Sequence, residues 1–142
     1  MMRIRKCARA VITNEYHEIL LQKFEFTDVI GNVVLWVTPG GGIKGKETPI
    51  EALKRELREE LGIVVDIRDE PLFEIDVFIE GKSDSFISRE IYYKITIQSD
   101  TILSIENMTE KEKDTFIDLK WWSKEELKKI KNFAPREILN YF

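Results

Sequence analysis

Apolar and polar residues alternate along several stretches of the chain, as they do in strands with one buried face. These stretches are residues 5–24, 33–38, 63–67, 73–80, 86–97 and 117–121. The first is divided by the polar turn Thr13-Asn14-Glu15, so we predict a hairpin there. A second hairpin is predicted around residues 81–85, because a Gly-containing polar loop separates the fourth stretch from the fifth.

Residues 49–61 repeat their apolar positions every three or four residues, which predicts an amphipathic helix. The stripe consists of Ile50, Leu53, Leu57 and Leu61. Thr48 and Glu51 have the spacing of a capping box, which marks the start of a helix. Gly62 stands where such a helix ends.

The C-terminal third is less regular. Residues 98–115 are polar and charged, and we interpret them as a mobile loop. Ser123 opens a second capping-box pattern, which predicts a helix through Ile130. Pro135 begins a last amphipathic helix. Strands, a helix, more strands and terminal helices indicate an α+β fold with a mixed sheet between helices. We expect residues 1–142 to form a single domain.

Composition narrows the class of protein. The hydrophobic content of 43% and charged content of 34% are ordinary for a soluble globular protein. A net charge of −4 argues against general nucleic-acid binding. The single cysteine excludes an internal disulfide and a multi-thiolate metal site. No apolar run is long enough to span a bilayer, and the N-terminus lacks a signal-peptide pattern. We therefore expect a soluble, cytoplasmic monomer or homodimer without a membrane partner.

Three glutamates share one face of the predicted helix. Glu56, Glu59 and Glu60 have i, i+3 and i+4 spacing, so their carboxylates are neighbours. Each like-charged pair costs about 0.2–0.5 kcal/mol on a solvated helix, which favours a cation among them. Hard carboxylate oxygens suit Mg²⁺ or Mn²⁺, and the glycine loop before the helix could add a backbone carbonyl.

The helix belongs to a longer motif. Gly41 is followed after five residues by Glu47 and, after seven more, by Arg55-Glu56-Leu57-Arg58-Glu59-Glu60-Leu61-Gly62-Ile63. This pattern resembles the Nudix box, with every defining position of Gly41–Ile63 filled. The preceding Trp36-Val37-Thr38-Pro39-Gly40-Gly41 resembles a lead-in common in Nudix hydrolases. The resemblance, which covers about residues 5–142, implies a MutT-like enzyme with the Nudix α/β/α sandwich.

The resemblance implies roles for the acidic face. Glu56, Glu59 and Glu60, together with the Gly40 carbonyl, would hold Mg²⁺, for which Mn²⁺ could substitute. Either Glu56 or Glu59 would take the proton from the attacking water. In some relatives a late acidic loop supplies a further ligand or the base, and here Glu110 and Glu112 are the candidates.

Two residues of the motif are predicted to support the glutamates of the helix rather than to bind the metal. Arg55 can pair with Glu59 along the helix or with Glu47 across the loop, so we predict that it orients its neighbours. Glu47 lies outside the predicted helix and is interpreted as structural. Glu90 lies on a predicted strand, where we expect it to face solvent rather than the acidic face.

Four residues are candidates for substrate binding. Lys23 at a strand end could meet a phosphate, although a solvated strand end is the alternative. The aromatic side chains of Phe24, Phe26 and Trp36 could stack on a nucleobase, or they could simply pack in the core.

The resemblance implies metal-dependent hydrolysis of a pyrophosphate linkage in a nucleoside diphosphate joined to another group. A nucleoside triphosphate or similar small nucleotide is the favoured substrate. One alternative is a nucleotide-sensing Nudix module without catalytic activity. A second is a pyrophosphohydrolase of RNA 5′ ends or caps, which the acidic charge disfavours.

Overall fold

A computed structural model describes residues 2–142 and contains one eight-stranded mixed sheet. The strands are β1 (Arg3–Thr13), β2 (Ile19–Phe26), β3 (Val33–Val37), β4 (Gly40–Gly42), β5 (Phe73–Glu80), β6 (Ser85–Thr96), β7 (Phe116–Trp122) and β8 (Phe133–Ala134). The helices are α1 (Pro49–Leu61), α2 (Glu110–Thr115) and α3 (Lys124–Leu127), followed by a 3₁₀ helix at Arg136–Asn140.

The sheet divides into two halves that meet near one end of β1. In the first half-sheet, β6 lies parallel to β1, with β5 antiparallel on its outer edge. Strand β4 pairs with β1 in the same half, where Arg9 faces Gly40. The second half-sheet contains β7, β2, β3 and β8. Strand β1 pairs with β2 at its C-terminal end, where Thr13 faces Ile19, and with β4 nearer its middle. The two halves therefore diverge and leave a cleft between them.

Helix α1 covers one face of the sheet. Its stripe residues Leu53, Leu57 and Leu61 are fully buried against β1. Both hydrogen bonds of the predicted capping box are present at Thr48 and Glu51. The helix ends at Gly62, whose φ of 68° lies in the left-handed region that glycine adopts without strain.

A second core lies on the opposite face. Val11 and Tyr92 of the first half-sheet pack there with aromatic residues of the second, among them Trp36 and Trp122. Helix α3 and the 3₁₀ helix close this core through side chains that include Leu127 and Ile138. The α+β prediction and the layered sandwich are therefore confirmed.

The two predicted hairpins are present, but the strand predicted at residues 63–67 is wrong. Residues 63–67 follow the left-handed turn at Gly62 and pair with no strand in the described part of the chain. Their alternation has another cause, since Ile63, Val65 and Ile67 pack against the α1 core while Val64 is 81% exposed. An extended segment packed on a core gives the same period as a strand in a ladder.

Three C-terminal predictions also need correction. The supposed loop at residues 98–115 ends in helix α2, which Thr109 and Glu112 open with a complete capping box. The helix predicted from Ser123 to Ile130 ends at Leu127. The last helix is a 3₁₀ helix rather than an α-helix. These predictions relied on apolar residues repeated over several helical turns, which short helices do not have. Only the capping residues indicate such helices in the sequence.

Within residues 2–142, no helix has the length and apolar character required to cross a membrane.

The cap of α1 can be tested by substitution. Because Thr48 accepts a hydrogen bond from the Glu51 amide, Thr48→Ala should lower the free energy of unfolding by about 1 kcal/mol in urea titrations. Thr48→Ser keeps the hydroxyl and should unfold like the wild type. Equal stability of the alanine variant and the wild type would show that the cap contributes nothing.

Candidate active site

The contact between α1 and β4 positions two buried carboxylates. The Gly40 amide donates a hydrogen bond to Glu60 Oε1 at 2.9 Å. A Cβ atom on Gly41 would lie 2.7 Å from the Glu56 carboxyl carbon, closer than such atoms approach in practice. The glycine strand therefore allows the glutamates of α1 to lie directly against backbone, where any side chain would displace Glu56.

A third carboxylate comes from α2. Ligand oxygens of Glu56, Glu60 and Glu112 all lie within 4.8 Å of one another. Glu112 also accepts the Thr109 amide hydrogen bond at 2.9 Å, so the capping box that forms α2 fixes this glutamate as well. Three convergent carboxylates are the donor set that hard divalent cations prefer, and this acidic cluster could hold a metal ion.

Burial makes the ionised form of these carboxylates energetically unfavourable. Glu56 and Glu60 are only 8% and 4% exposed. Burial raises the pKa of Glu60 well above its ordinary value, and the neighbouring charges of Glu56 and Glu112 raise it further. The pKa of Glu56 is also raised by burial, against the opposing effect of Arg55. A cation bound at the cluster would compensate these charges.

Arg55 joins the helix to the loop before it. Its Nε and Nη2 donate to the two oxygens of Glu47 at 2.7 and 2.9 Å. Nη2 also donates to the Gly42 carbonyl and Nη1 to Glu56 Oε1, each at 2.9 Å. The hydrogen bonds from Arg55 and from the Lys44 amide lower the pKa of Glu47 to about 2. The structure thus brings Arg55 and Glu47 together as predicted, and Arg55 restrains Glu56 directly.

The other two candidate acids lie outside the acidic cluster. Glu59 lines the same pocket and approaches Arg55 Nη1 at 3.6 Å, with a third of its side chain exposed. Glu110 is highly exposed and lies near Lys113. Of the two glutamates suggested on the late loop, the structure therefore places Glu112, and not Glu110, beside the box.

The acidic pocket, with a volume of about 400 Å³, brings two of the four substrate-binding candidates together with the cluster. Phe24 and Phe26 line its wall, and their rings lie 6.1 Å apart. Trp36 instead packs edge-on against Trp122 in the second core, at a centroid distance of 5.0 Å. Lys23 Nζ lies 5.5 Å from the centroid of the Trp36 ring, and neither Lys23 nor Trp36 lines the acidic pocket.

The expectation that Glu90 faces solvent is wrong. It is 8% exposed and accepts hydrogen bonds from Ser88 and Tyr92 at 2.8 and 2.7 Å. Arg9 Nε lies 3.3 Å from its Oε2. Burial alone would raise the pKa of Glu90, but the Arg9 charge and the two hydroxyl donors outweigh it and lower the pKa. The buried position of Glu90 is therefore stabilised by a complete set of partners.

Sequence reasoning did not single out Arg9, which lines the acidic pocket. A signal was present, because arginine occurs at positions 3, 5 and 9 and alternate positions of a strand share a face. Arg9 lies between the apolar Cys7 and Val11 on one face of the strand, and an arginine on such a face calls for a ligand or a buried partner.

Two characterised proteins share stretches of sequence with this chain. An 8-oxo-dGTP diphosphatase from Haemophilus influenzae is 43% identical over 63 residues, 44% of this chain and 44% of the relative. An RNA pyrophosphohydrolase from Halorhodospira halophila is 61% identical over 28 residues, 20% of this chain and 16% of the relative. These matches span less than half of either relative.

Structural similarity extends over nearly the whole chain. A MutT NUDIX hydrolase from Burkholderia pseudomallei superposes with a TM-score of 0.72 at 24% identity, covering 97% of each chain. This likeness establishes the fold. The family model of the NUDIX domain matches residues 3–142. Two glutamates of the acidic cluster, Glu56 and Glu60, lie on helix α1, and Glu112 comes from α2. The chain belongs to the NUDIX domain family.

Proposed function

We propose that this chain is a MutT-like pyrophosphohydrolase, which uses Mg²⁺ to hydrolyse a nucleoside diphosphate joined to a further group. A nucleoside triphosphate or a similar small nucleotide is the favoured substrate. The observation that carries the proposal is the convergence of Glu56, Glu60 and Glu112 in one pocket of a NUDIX domain. Membership of the family and the names of its sequence relatives support the reaction class.

The donor set fits the expected cation. Glu56, Glu60 and Glu112 would hold Mg²⁺ or Mn²⁺, with the Gly40 carbonyl as a further candidate ligand. A divalent ion bound there would neutralise the phosphates and lower the pKa of a bound water. Arg55 keeps Glu56 in place through their 2.9 Å hydrogen bond.

Two residues remain candidates for the base. Burial raises the pKa of Glu56 in the absence of metal, which makes its carboxylate a stronger proton acceptor. Glu59 lies outside the acidic cluster, partly exposed on the pocket wall, which leaves it accessible to a water.

The nucleotide would enter beside aromatic residues. Phe24 and Phe26 border the acidic pocket and offer surfaces on which a base or ribose could pack. An RNA 5′ end is the second candidate substrate, supported by the 61% identical segment of an RNA pyrophosphohydrolase. The net charge of −4 disfavours it, because binding of an RNA backbone relies on cationic side chains.

The reaction class can be tested with a panel of nucleoside triphosphates, nucleotide sugars, dinucleoside polyphosphates and 5′-triphosphate RNA. In the presence of Mg²⁺ we expect cleavage of at least one substrate at a phosphoanhydride bond, with fragments identified by mass spectrometry. Glu56→Gln should lower kcat by at least about 100-fold, more than the loss typical of a supporting residue. Binding of nucleotides without any cleavage would refute the hydrolase and favour a sensing module.

Metal binding can be tested separately through stability. Because burial raises the pKa of Glu60, the folded protein binds this proton more tightly than the unfolded chain. Without metal, stability should therefore fall as the pH rises through the raised pKa. Glu60→Gln removes the charge but keeps an oxygen for the Gly40 amide, so at pH 8 it should melt higher than the wild type.

Added Mn²⁺ should reverse that order. At 100 times Kd, Mn²⁺ should stabilise the wild type by about 2.7 kcal/mol and leave Glu60→Gln unchanged. Differential scanning fluorimetry at pH 8 measures both effects. A Gln variant that retains the Mn²⁺ shift would contradict a metal site at Glu60. A Gln variant that melts lower than the wild type without metal would contradict the cost of burying the Glu60 charge.

Helix α2 offers a matched pair of variants. Glu112 belongs to the acidic cluster, whereas Glu110 on the same helix lies outside it. Glu112→Gln keeps the capping oxygen and should weaken Mn²⁺ binding by about 10- to 100-fold in calorimetric titrations. Glu110→Gln should bind like the wild type. Equal affinities of the two variants would exclude Glu112 as a ligand.

A further inference from the structure

A second, larger cavity opens from the acidic pocket. It is a cleft of about 1200 Å³ between the two half-sheets. Leu35 and Val37 of β3 face Ile75 and Val77 of β5 across it, so its walls are largely apolar. The cleft and the acidic pocket share several residues, among them Arg5, Arg9 and Thr38. A ligand with phosphates in the acidic pocket could therefore extend into the cleft past these residues.

The floor of this apolar cleft contains a buried ion pair. Arg9 and Glu90 both line the cleft, and Arg9 Nε lies 3.3 Å from Glu90 Oε2. Arg9 Nη1 donates to the Thr38 carbonyl at 3.2 Å, which fixes the guanidinium plane from a second side. Glu90 in turn accepts hydrogen bonds from Ser88 and Tyr92. The guanidinium is thus pre-positioned before any ligand arrives.

The guanidinium retains unused donors. It carries five N–H groups. One points to Glu90 and one is bonded to Thr38, while Nη2 takes part in no hydrogen bond formed by residues 2–142. Because Arg9 lines both cavities and its side chain is 21% exposed, these free N–H groups can donate to a ligand in the cleft.

The ligand atoms that suit Arg9 are neutral acceptors rather than an anion. Glu90 already matches the Arg9 charge, and the acidic cluster adds further negative charge nearby. Arg5 contrasts with this, because no ion pair within residues 2–142 includes it. A Cβ on Gly42 would lie 2.8 Å from Arg5 Nη2, so this guanidinium stands at the mouth of the acidic pocket. Arg5 is therefore the better phosphate ligand of the two.

We propose that Arg9, held by Glu90, is the specificity-determining residue for the nucleobase and selects bases with two adjacent acceptors on one edge. A guanidinium donates to such a pair through two parallel hydrogen bonds, as arginine does with guanine O6 and N7. Cytosine offers the same chemistry through O2 and N3, whereas adenine and uracil place a donor beside each acceptor on these edges. This inference rests on the proposed function for the class of ligand, a nucleotide.

The test measures binding without hydrolysis. Calorimetric titrations of the protein with GMP, CMP, AMP and UMP, without metal, use ligands that contain no phosphoanhydride bond. We expect GMP or CMP to bind on the order of tenfold more tightly than AMP and UMP. The comparison of GMP with CMP shows which acceptor pair is selected. Equal affinities for the four, preference for AMP or UMP, or no binding would each overturn the inference.

Two lysine variants separate Arg9 from its neighbour. Arg9→Lys keeps the charge beside Glu90 but loses the planar fork, so the preference between bases should fall to less than about twofold. Arg5→Lys makes the same change at the mouth of the acidic pocket and should leave the preference intact, even where all affinities fall together. Circular dichroism and melting temperatures verify that both variants are folded.

The outcomes distinguish the two proposals. Retained base preference in Arg9→Lys, or an equal loss of affinity for all four nucleotides, would refute Arg9 as the selecting residue and leave the hydrolase proposal intact. A base preference that disappears in Arg9→Lys, in a protein that cleaves no nucleotide with Mg²⁺, would support the inference and refute the hydrolase.

Discussion

The fit of helix α1 against the glycine strand β4 is the contact on which the site depends. Gly41 has no Cβ, and the Glu56 carboxyl group occupies the space in which a Cβ would lie. The Gly40 amide stabilises Glu60 from the same strand. This contact places two like charges in a buried position, which is costly in a protein without a bound cation. The fully buried leucines on the other side of α1 supply the packing energy that holds the helix there.

Arg55 turns this contact into a rigid unit. One guanidinium connects Glu47, the Gly42 carbonyl and Glu56, so the loop, the strand and the helix cannot move independently. The motif is contiguous in the sequence, and its capping box starts the helix at the residue that sets the register of the glutamates. A local stretch can therefore specify most of the geometry that metal binding requires, with long-range packing needed only to bury it.

This locality explains what the sequence could predict. Helix α1, both hairpins and the contact between Arg55 and Glu47 follow from spacing within short segments. The segment 63–67 was misread because alternation reports which side chains are buried, and not whether a neighbouring strand is present. The arrival of Glu112 at the acidic cluster depends on the path of residues 98–115, which spacing within a segment does not determine. Glu90 was misplaced for the same reason, because its partner Arg9 lies on a strand distant in sequence.

The difference between local and long-range structure also separates the residues proposed for catalysis from those proposed for substrate selection. The carboxylates of α1 belong to one contiguous motif, and a motif of this kind can keep its geometry while the surrounding strands change. The cleft floor is assembled from β1 and β6, and its walls from β3 and β5, so each of its polar groups depends on the register between strands. A single substitution on β1 or β6 can alter the donors presented to a ligand without disturbing α1. Selectivity can therefore diverge among proteins that share the box, which is why the box indicates the reaction class and the strands must indicate the substrate.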